Sequence, residues 1–216
     1  FSPARHYETS PSQANGQCSP MGCAFTIGPN SIDSDNNYFF IPHMAGAWQI
    51  DEKSAWSAAF YGRGGMNTTW NGGTATFDPD GPMGPAPVMT LPGTYGAGLF
   101  GGNGAAGVDL SQAFLELGYA RELGENFTLG ISLIGVMQVF AARGVSTFGA
   151  YTETFAASGG MTMPSNLSNN SHDQSYGLGG KIGMLWNLSE TVSFAASYQP
   201  KITMSKLDDY SDLFAD

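Results

Sequence analysis

The chain has 216 residues, enough for one domain with a substantial core, and carries 30 glycines, 12% charged residues and a formal net charge of −10. Only 8 residues are Lys or Arg, so no basic patch forms to neutralise phosphates, which speaks against a nucleic-acid partner. No run of about 18 apolar residues exists to make a transmembrane helix, yet the mean hydropathy of −0.13 is what alternating membrane strands would give.

The chain begins abruptly at Phe1, with no signal peptide, and ends abruptly at Asp216, so both ends read as cut. A first long loop covers 10–36 and holds Cys18 and Cys23. Their spacing suits a small disulfide ring in an oxidising compartment. Free thiols are the alternative; no second cysteine pair or histidine cluster supports a metal site.

A strand follows over 38–50, where alternate side chains face opposite sides. Phe40, Pro42, Met44, Gly46, Trp48 and Ile50 are expected outward, with Trp48 at a membrane interface. Phe39, Ile41 and His43 are then expected inward, with Ala45, Ala47 and Gln49. After a tight turn at 51–54, Trp56, Ala58 and Phe60 face out while Tyr61 and Arg63 face in. Gly62, Gly64 and Gly65 mark a kink or a bulge.

The second long loop, 67–109, is rich in Gly, Pro, Met and apolar residues, among them Phe77, Met83, Val88, Met89, Leu91, Leu99 and Phe100. Asp78 and Asp80 in it read as a plain turn before they read as a calcium site. A strand over 110–119 places Leu115, Leu117 and Tyr119 outward and Gln112, Phe114 and Glu116 inward. After a tight turn at 121–126, the next strand points Leu129, Ile131, Leu133 and Met137 outward and Ile134, Val136 and Phe140 inward. The third long loop spans 143–175. The strand from Tyr176 sets Leu178, Ile182, Met184 and Trp186 against Lys181 among glycines, and the last strand sets Phe194 and Tyr198 against Lys201.

Tight turns therefore lie at one end of the strands and long loops at the other. An antiparallel transmembrane β-barrel of the outer-membrane type has that asymmetry. A soluble β-sandwich also alternates, but it accounts neither for the asymmetry nor for apolar faces with aromatics near their ends. The expected class is all-β, with about seven strands in a single barrel domain over 1–216.

Catalytic signatures are missing: there is no Gly-x-Ser-x-Gly elbow, His-Glu-x-x-His or P-loop. His6, His43 and His172 are scattered without metal-ligand spacing. Neither an enzyme nor a cofactor or metal is expected.

Several segments, in order, carry a likeness: Phe1 to Tyr7, Asn37 to Pro42, Tyr61 to Thr68, Gly107 to Gln112, Ala196 to Ser205, and Leu213 to Ala215. Through them nearly the whole chain resembles the long-chain fatty acid and hydrocarbon transporters of the Gram-negative outer membrane, the FadL/TodX type. The resemblance implies a 14-stranded barrel with an N-terminal hatch and a kinked strand that opens a lateral gap. It also implies an apolar ligand bound in the lumen and released sideways into the membrane. Against that pattern the hatch segment before Phe1 and the C-terminal strands are absent, so the chain reads as the middle portion of such a barrel.

A ligand pocket is mostly apolar with a few placed polar groups. The inward candidates are Phe39, Ile41, Tyr61, Phe114, Ile134, Val136 and Phe140. Arg63, Lys181, Lys201 and His43 are candidates for a carboxylate head group; pairing with Glu116 is the alternative for these cations. Gly62, Gly64 and Gly65 are the candidates for the lateral-gap kink. The expected partners are a fatty acid or hydrocarbon, with outer-membrane lipid and lipopolysaccharide around the barrel. A general porin, or a structural or adhesive β-assembly built through unpaired strand edges, is the alternative.

Overall fold

The computed structural model describes residues 5–9, 26–27, 30–71, 74–77, 85, 87, 89–92 and 105–215. Cys18, Cys23 and the Asp78–Gly81 turn lie outside the described residues, as do the loop residues Met83, Val88, Leu99 and Phe100. Twelve strands follow in chain order: β1 (His6–Thr9), β2 (Thr26–Ile27), β3 (Asn30–Asp33), β4 (His43–Asp51), β5 (Ser54–Asn71), β6 (Thr74–Phe77), β7 (Met89–Pro92), β8 (Ala105–Glu122), β9 (Phe127–Arg143), β10 (Asp173–Asn187), β11 (Ser193–Tyr198) and β12 (Thr203–Met204). Short helical turns cover Val145–Tyr151, Glu153–Ala157 and, before the end, Asp208–Tyr210 and Ser211–Ala215.

The protein is all-β and its ladders are antiparallel. The main sheet has seven strands in the order β11-β10-β9-β8-β5-β4, with β12 pairing β10 beyond β11. β4, β5, β8, β9, β10 and β11 are each joined to a spatial neighbour, as the tight turns require. The sheet is open: among the described residues β4 lies at one edge and β11 with β12 at the other, so these strands do not close into a barrel by themselves.

The strands run further than the alternation suggested. The loop expected at 67–109 gives its first residues to β5 and its last to β8, and β6 and β7 between them form a small sheet with β2. The loop expected at 143–175 holds two helical turns and yields its last residues to β10. The loop at 10–36 contains β2 and β3, and the first strand, β1, pairs β3 instead of joining the main sheet.

Alternation sorts the main sheet into two faces as read from the sequence. One register row runs Trp48, Trp56, Tyr119, Ile131, Ile182, Tyr198 across six strands. The rings of Trp56 and Tyr119 are 5.4 Å apart. A second row, two pleats further from the tight turns, runs Met44, Phe60, Leu115, Gly135, Leu178, Thr203. Most bulky members of this face are exposed, from Met137 at 36% to Leu178 at 75%.

Between the Arg121 and Ser111 registers the outward positions of β4, β5, β8, β9 and β10 carry no charge. That stretch is about 33 Å of strand at roughly 3.3 Å per residue. At a tilt of about 40° it stands about 25 Å tall, the height of a lipid-facing band.

The inward face is built for close approach. A Cβ at Gly118 would fall 2.4 Å from Ser57 Oγ. At Gly177 and Gly179 it would fall 2.5 Å from Met204 Sδ and from Ile202 Cγ1. Those two side chains cross β10 because the β11 ladder breaks: Ile182 pairs Tyr198, but Leu178 pairs Thr203, one residue out of step. Pro200 in the break has no N–H to donate. At the loop end, Tyr210 is fully buried, its hydroxyl donating to Asn170 O at 2.8 Å and Ser171 O at 3.1 Å, and burial pushes its phenol pKa up.

Candidate functional site

The β4–β5 ladder stops short of the loop end. Its last bond is Gly62 N–H to Pro42 O at 2.8 Å. The next backbone bond along that edge of β5 runs from Asp35 N–H to Thr69 O, also 2.8 Å. Among the described residues no backbone bond joins 36–41 to 63–68. The result is a window in the sheet, and two local causes explain it. Pro42 ends β4, since a proline offers no ladder donor. On the facing strand, the register of β5 against β8 shifts between Gly64 and Asn67, a bulge that glycine permits.

Side chains take over the hydrogen bonding at the loop-side rim. Arg5 Nη2 donates to Asn36 O and to Asn67 O, each at 2.5 Å, so one guanidinium ties both sides of the gap together. Asn36 Nδ2 donates to Asn67 Oδ1 and, at 2.9 Å, to Thr69 Oγ1. Asn67 Nδ2 donates to Asp109 Oδ1 at 3.0 Å, and Asp109 Oδ2 meets His172 Nε2 at 2.9 Å. The rim is thus linked across β8 to the start of β10.

A cavity of about 650 Å³ occupies the window, lined by Arg5, Phe39, Ile41, Arg63, Gly64 and Met137 among others. Two guanidinium groups line it and, among the described residues, no carboxylate does. Arg5 lies 5.3 Å over the Phe39 ring, and its Nε is buried with no partner among the described residues.

On the inward face beside the window, His43, Tyr61, Phe114 and Val136 share one register row. Tyr61 and Phe114 stack 5.1 Å apart and nearly parallel, and the exposed His43 ring lies 6.4 Å from Tyr61. Phe114, Ile134 and Val136 are buried together under Ile202 and Met204. Arg63 lies over Phe114 at 4.9 Å and Tyr61 at 5.9 Å. It has no acidic partner among the described residues.

Four expectations change. Ile41 does not face inward: its side chain covers the outward positions of Gly62 and Gly64, whose missing Cβ atoms would sit 3.5 and 3.1 Å from it. The reason is that 37–41 is not part of the ladder, so the two-residue period does not reach it. Lys181 is ion-paired with Glu116 at 2.5 Å, as the alternative had it, and Tyr61 donates to the same carboxylate at 3.4 Å. Lys201 is exposed, in the break before β12, and outside the inward cluster. Phe140 is buried in a second cluster with Ala141, Ala142 and Tyr210 instead of with Phe114.

The structure therefore gathers Phe39, Ile41, Arg63, Gly62, Gly64 and Gly65 at the window and Tyr61, Phe114, Ile134 and Val136 just inside it. Arg5 and the Asn36–Asn67 pair were missed. An arginine preceding a short strand carries no local signal for bridging two distant carbonyls. Comparison with protein-family models, with characterised proteins and with solved structures finds no match to this chain.

Proposed function

We propose that this chain forms part of an outer-membrane β-barrel wall and passes long-chain fatty acids or similar hydrophobic compounds sideways into the bilayer through the β4–β5 window. The observation that carries this reading is the pairing of an uncharged, exposed outward face with a cavity at a break in the same sheet. A break at that place connects the side holding Tyr61, Phe114 and Arg63 with the side facing lipid. Nothing in the transfer needs covalent chemistry: an apolar tail moves between two apolar surroundings, and only the head group must be held. Arg63 suits a carboxylate because guanidinium binds it in a bidentate manner, and among the described residues no protein acid pairs with it.

The open sheet also keeps a structural assembly in play, because unpaired edges at β4 and β11 can recruit further strands. The porin alternative has less support, since the inward face beside the window carries an apolar cluster of Phe114, Ile134 and Val136 and its lysine, Lys181, is paired with Glu116. The test is transfer of palmitate into the bilayer of vesicles carrying the protein extracted from its own membrane. Faster transfer than in empty vesicles, with palmitate retained in native mass spectra, is expected. Small-ion conductance with no palmitate binding would overturn the reading in favour of a porin, and a lipid-free assembly active in neither assay would favour the structural role.

A further inference from the structure

The outward face holds a second hollow, of about 730 Å³, bounded by Phe60, Leu115, Met137, Tyr176 and Leu178. Its floor is one residue wide in bulk: Gly135 sits between Leu115 and Leu178 in register. This glycine is unlike Gly118, Gly177 and Gly179 on the inward face. A Cβ at Gly135 would meet its nearest neighbours, Leu115 O and Leu178 Cδ2, at 4.0 Å, an ordinary contact. Packing does not require glycine here, and its φ is not positive. What the missing side chain leaves is open trough.

The trough joins the window. Ala113 and Met137 line both hollows, and Gly62, Ala113 and Met137 are successive members of one register row. A path of small residues therefore leads from Gly62 across Ala113 to Gly135, about 10 Å over two strand spacings. One end of that path carries Arg5 and Arg63 with no carboxylate beside them among the described residues. The other end is mainly apolar, with Tyr176 and Thr203 at its margin. An object with an anionic head and a flexible aliphatic tail matches both ends.

We infer that the outward face of β8 and β9 carries a binding trough for the aliphatic tail of a single-chain carboxylate whose head is held at the window. The inference rests on the transfer reading above and adds a site to it: the tail is received on the protein's outer surface before it mixes with bulk lipid. Exit then occurs in two stages, with the head group leaving last.

The test uses the full chain in vesicles of phosphatidylethanolamine and phosphatidylglycerol, with a palmitate analogue bearing a photoreactive diazirine near its methyl end. Adducts are mapped by mass spectrometry. Labelling of Met137, Tyr176 or Leu178, abolished by excess palmitate, is expected. Gly135→Leu, whose Cβ would stand at an ordinary 4.0 Å contact, puts its side chain into the trough and should lower that labelling at least five-fold while adducts near Phe39 and Ile41 persist. The methyl ester of the probe, lacking the charge, should label the trough several-fold less.

Labelling confined to the window and unchanged by Gly135→Leu would overturn the trough and leave the transfer reading standing. Trough labelling that excess palmitate does not reduce would mean ordinary lipid contact and would overturn it as well. No palmitate-sensitive labelling at either place would overturn both.

Discussion

Lys181 and Arg63 face the same side of the sheet, yet the structure gives them different tasks, and that difference can be measured. Lys181 Nζ lies 2.5 Å from Glu116 Oε1, with the two side chains 33% and 14% exposed. At that separation the attraction is about 7 kcal/mol at an effective dielectric of about 20, and about 1.7 kcal/mol in water. Lys181 is a third exposed, which pulls the value toward the lower figure, and desolvation of both ions offsets much of the rest. We expect Lys181→Met to cost about 2 kcal/mol, because it strands the Glu116 carboxylate. The double variant Lys181→Met with Glu116→Leu should regain most of that loss. Palmitate affinity should stay within about two-fold in both. Arg63→Gln should do the reverse: little change in stability beyond the roughly 0.5–1 kcal/mol of its ring contacts, but about ten-fold weaker binding, the 1.4 kcal/mol equivalent of one charge-assisted bond. Urea unfolding in detergent and palmitate titration followed by tryptophan fluorescence measure the two quantities. If Lys181→Met weakens binding as much as Arg63→Gln does while leaving stability intact, the assignment of roles is wrong.

Three further perturbations test the frame around the site. Leu133→Arg places a charge in the middle of the outward face, where Leu133 is 60% exposed; a cost of about 2–4 kcal/mol in a bilayer is expected, read as lost insertion into vesicles, and unimpaired insertion would refute the lipid-facing assignment. Gly177→Val drives a Cβ to 2.5 Å from Met204 Sδ and 3.0 Å from Thr203 O; the expected loss is about 1–3 kcal/mol, measured as a lower urea midpoint together with faster amide exchange in β12. Tyr210→Phe removes a buried hydroxyl that donates to two carbonyls; about 0.5–1.5 kcal/mol of local stability should go, seen as faster proteolysis within 205–215 while the main sheet keeps its exchange protection.

The sequence carried the faces of the strands well. From Trp56 to Tyr198 the outward and inward sets are those that alternation predicts, because a period of two has no other solution once one face is apolar and the other is glycine and small residues. The failures occur where the period stops. Ile41 was placed inward by counting through Pro42, although the ladder ends at that proline. The strand ends were set too short because Asn67 to Asn71 and Ala105 to Asp109 look like loop in composition, yet they pair with each other residue for residue. Phe140 follows the inward alternation but meets Tyr210, a contact between residues 70 positions apart that only the tertiary fold decides. Arg5 has the same character: its partners, the Asn36 and Asn67 carbonyls, are main-chain atoms that any sequence supplies.

A hole in a membrane-facing sheet is costly unless its edges are satisfied, since unpaired backbone groups in hydrocarbon cost several kcal/mol each. The window meets this cost from three directions. Pro42 contributes no N–H, so one donor never needs a partner. Gly64 and Gly65 let the β5 bulge turn the strand at the place where pairing with β4 ends. Arg5, donating to Asn36 O and Asn67 O, and Ser34, whose Oγ accepts from Thr69 N–H at 3.2 Å, then supply side-chain partners at the loop end, where the band gives way to polar residues such as Ser111, Gln174 and Asp109. The opening therefore sits at the loop-side margin of the apolar band, with guanidinium groups toward the loops and the uncharged trough toward the tight turns. On the proposed transfer reading, an amphiphile crossing there would keep its head at a polar level while its tail swings from one apolar side to the other. An opening placed two pleats lower, beside Met44 and Phe60, would have to carry the charged head into hydrocarbon, and none of the residues at that level can hold it.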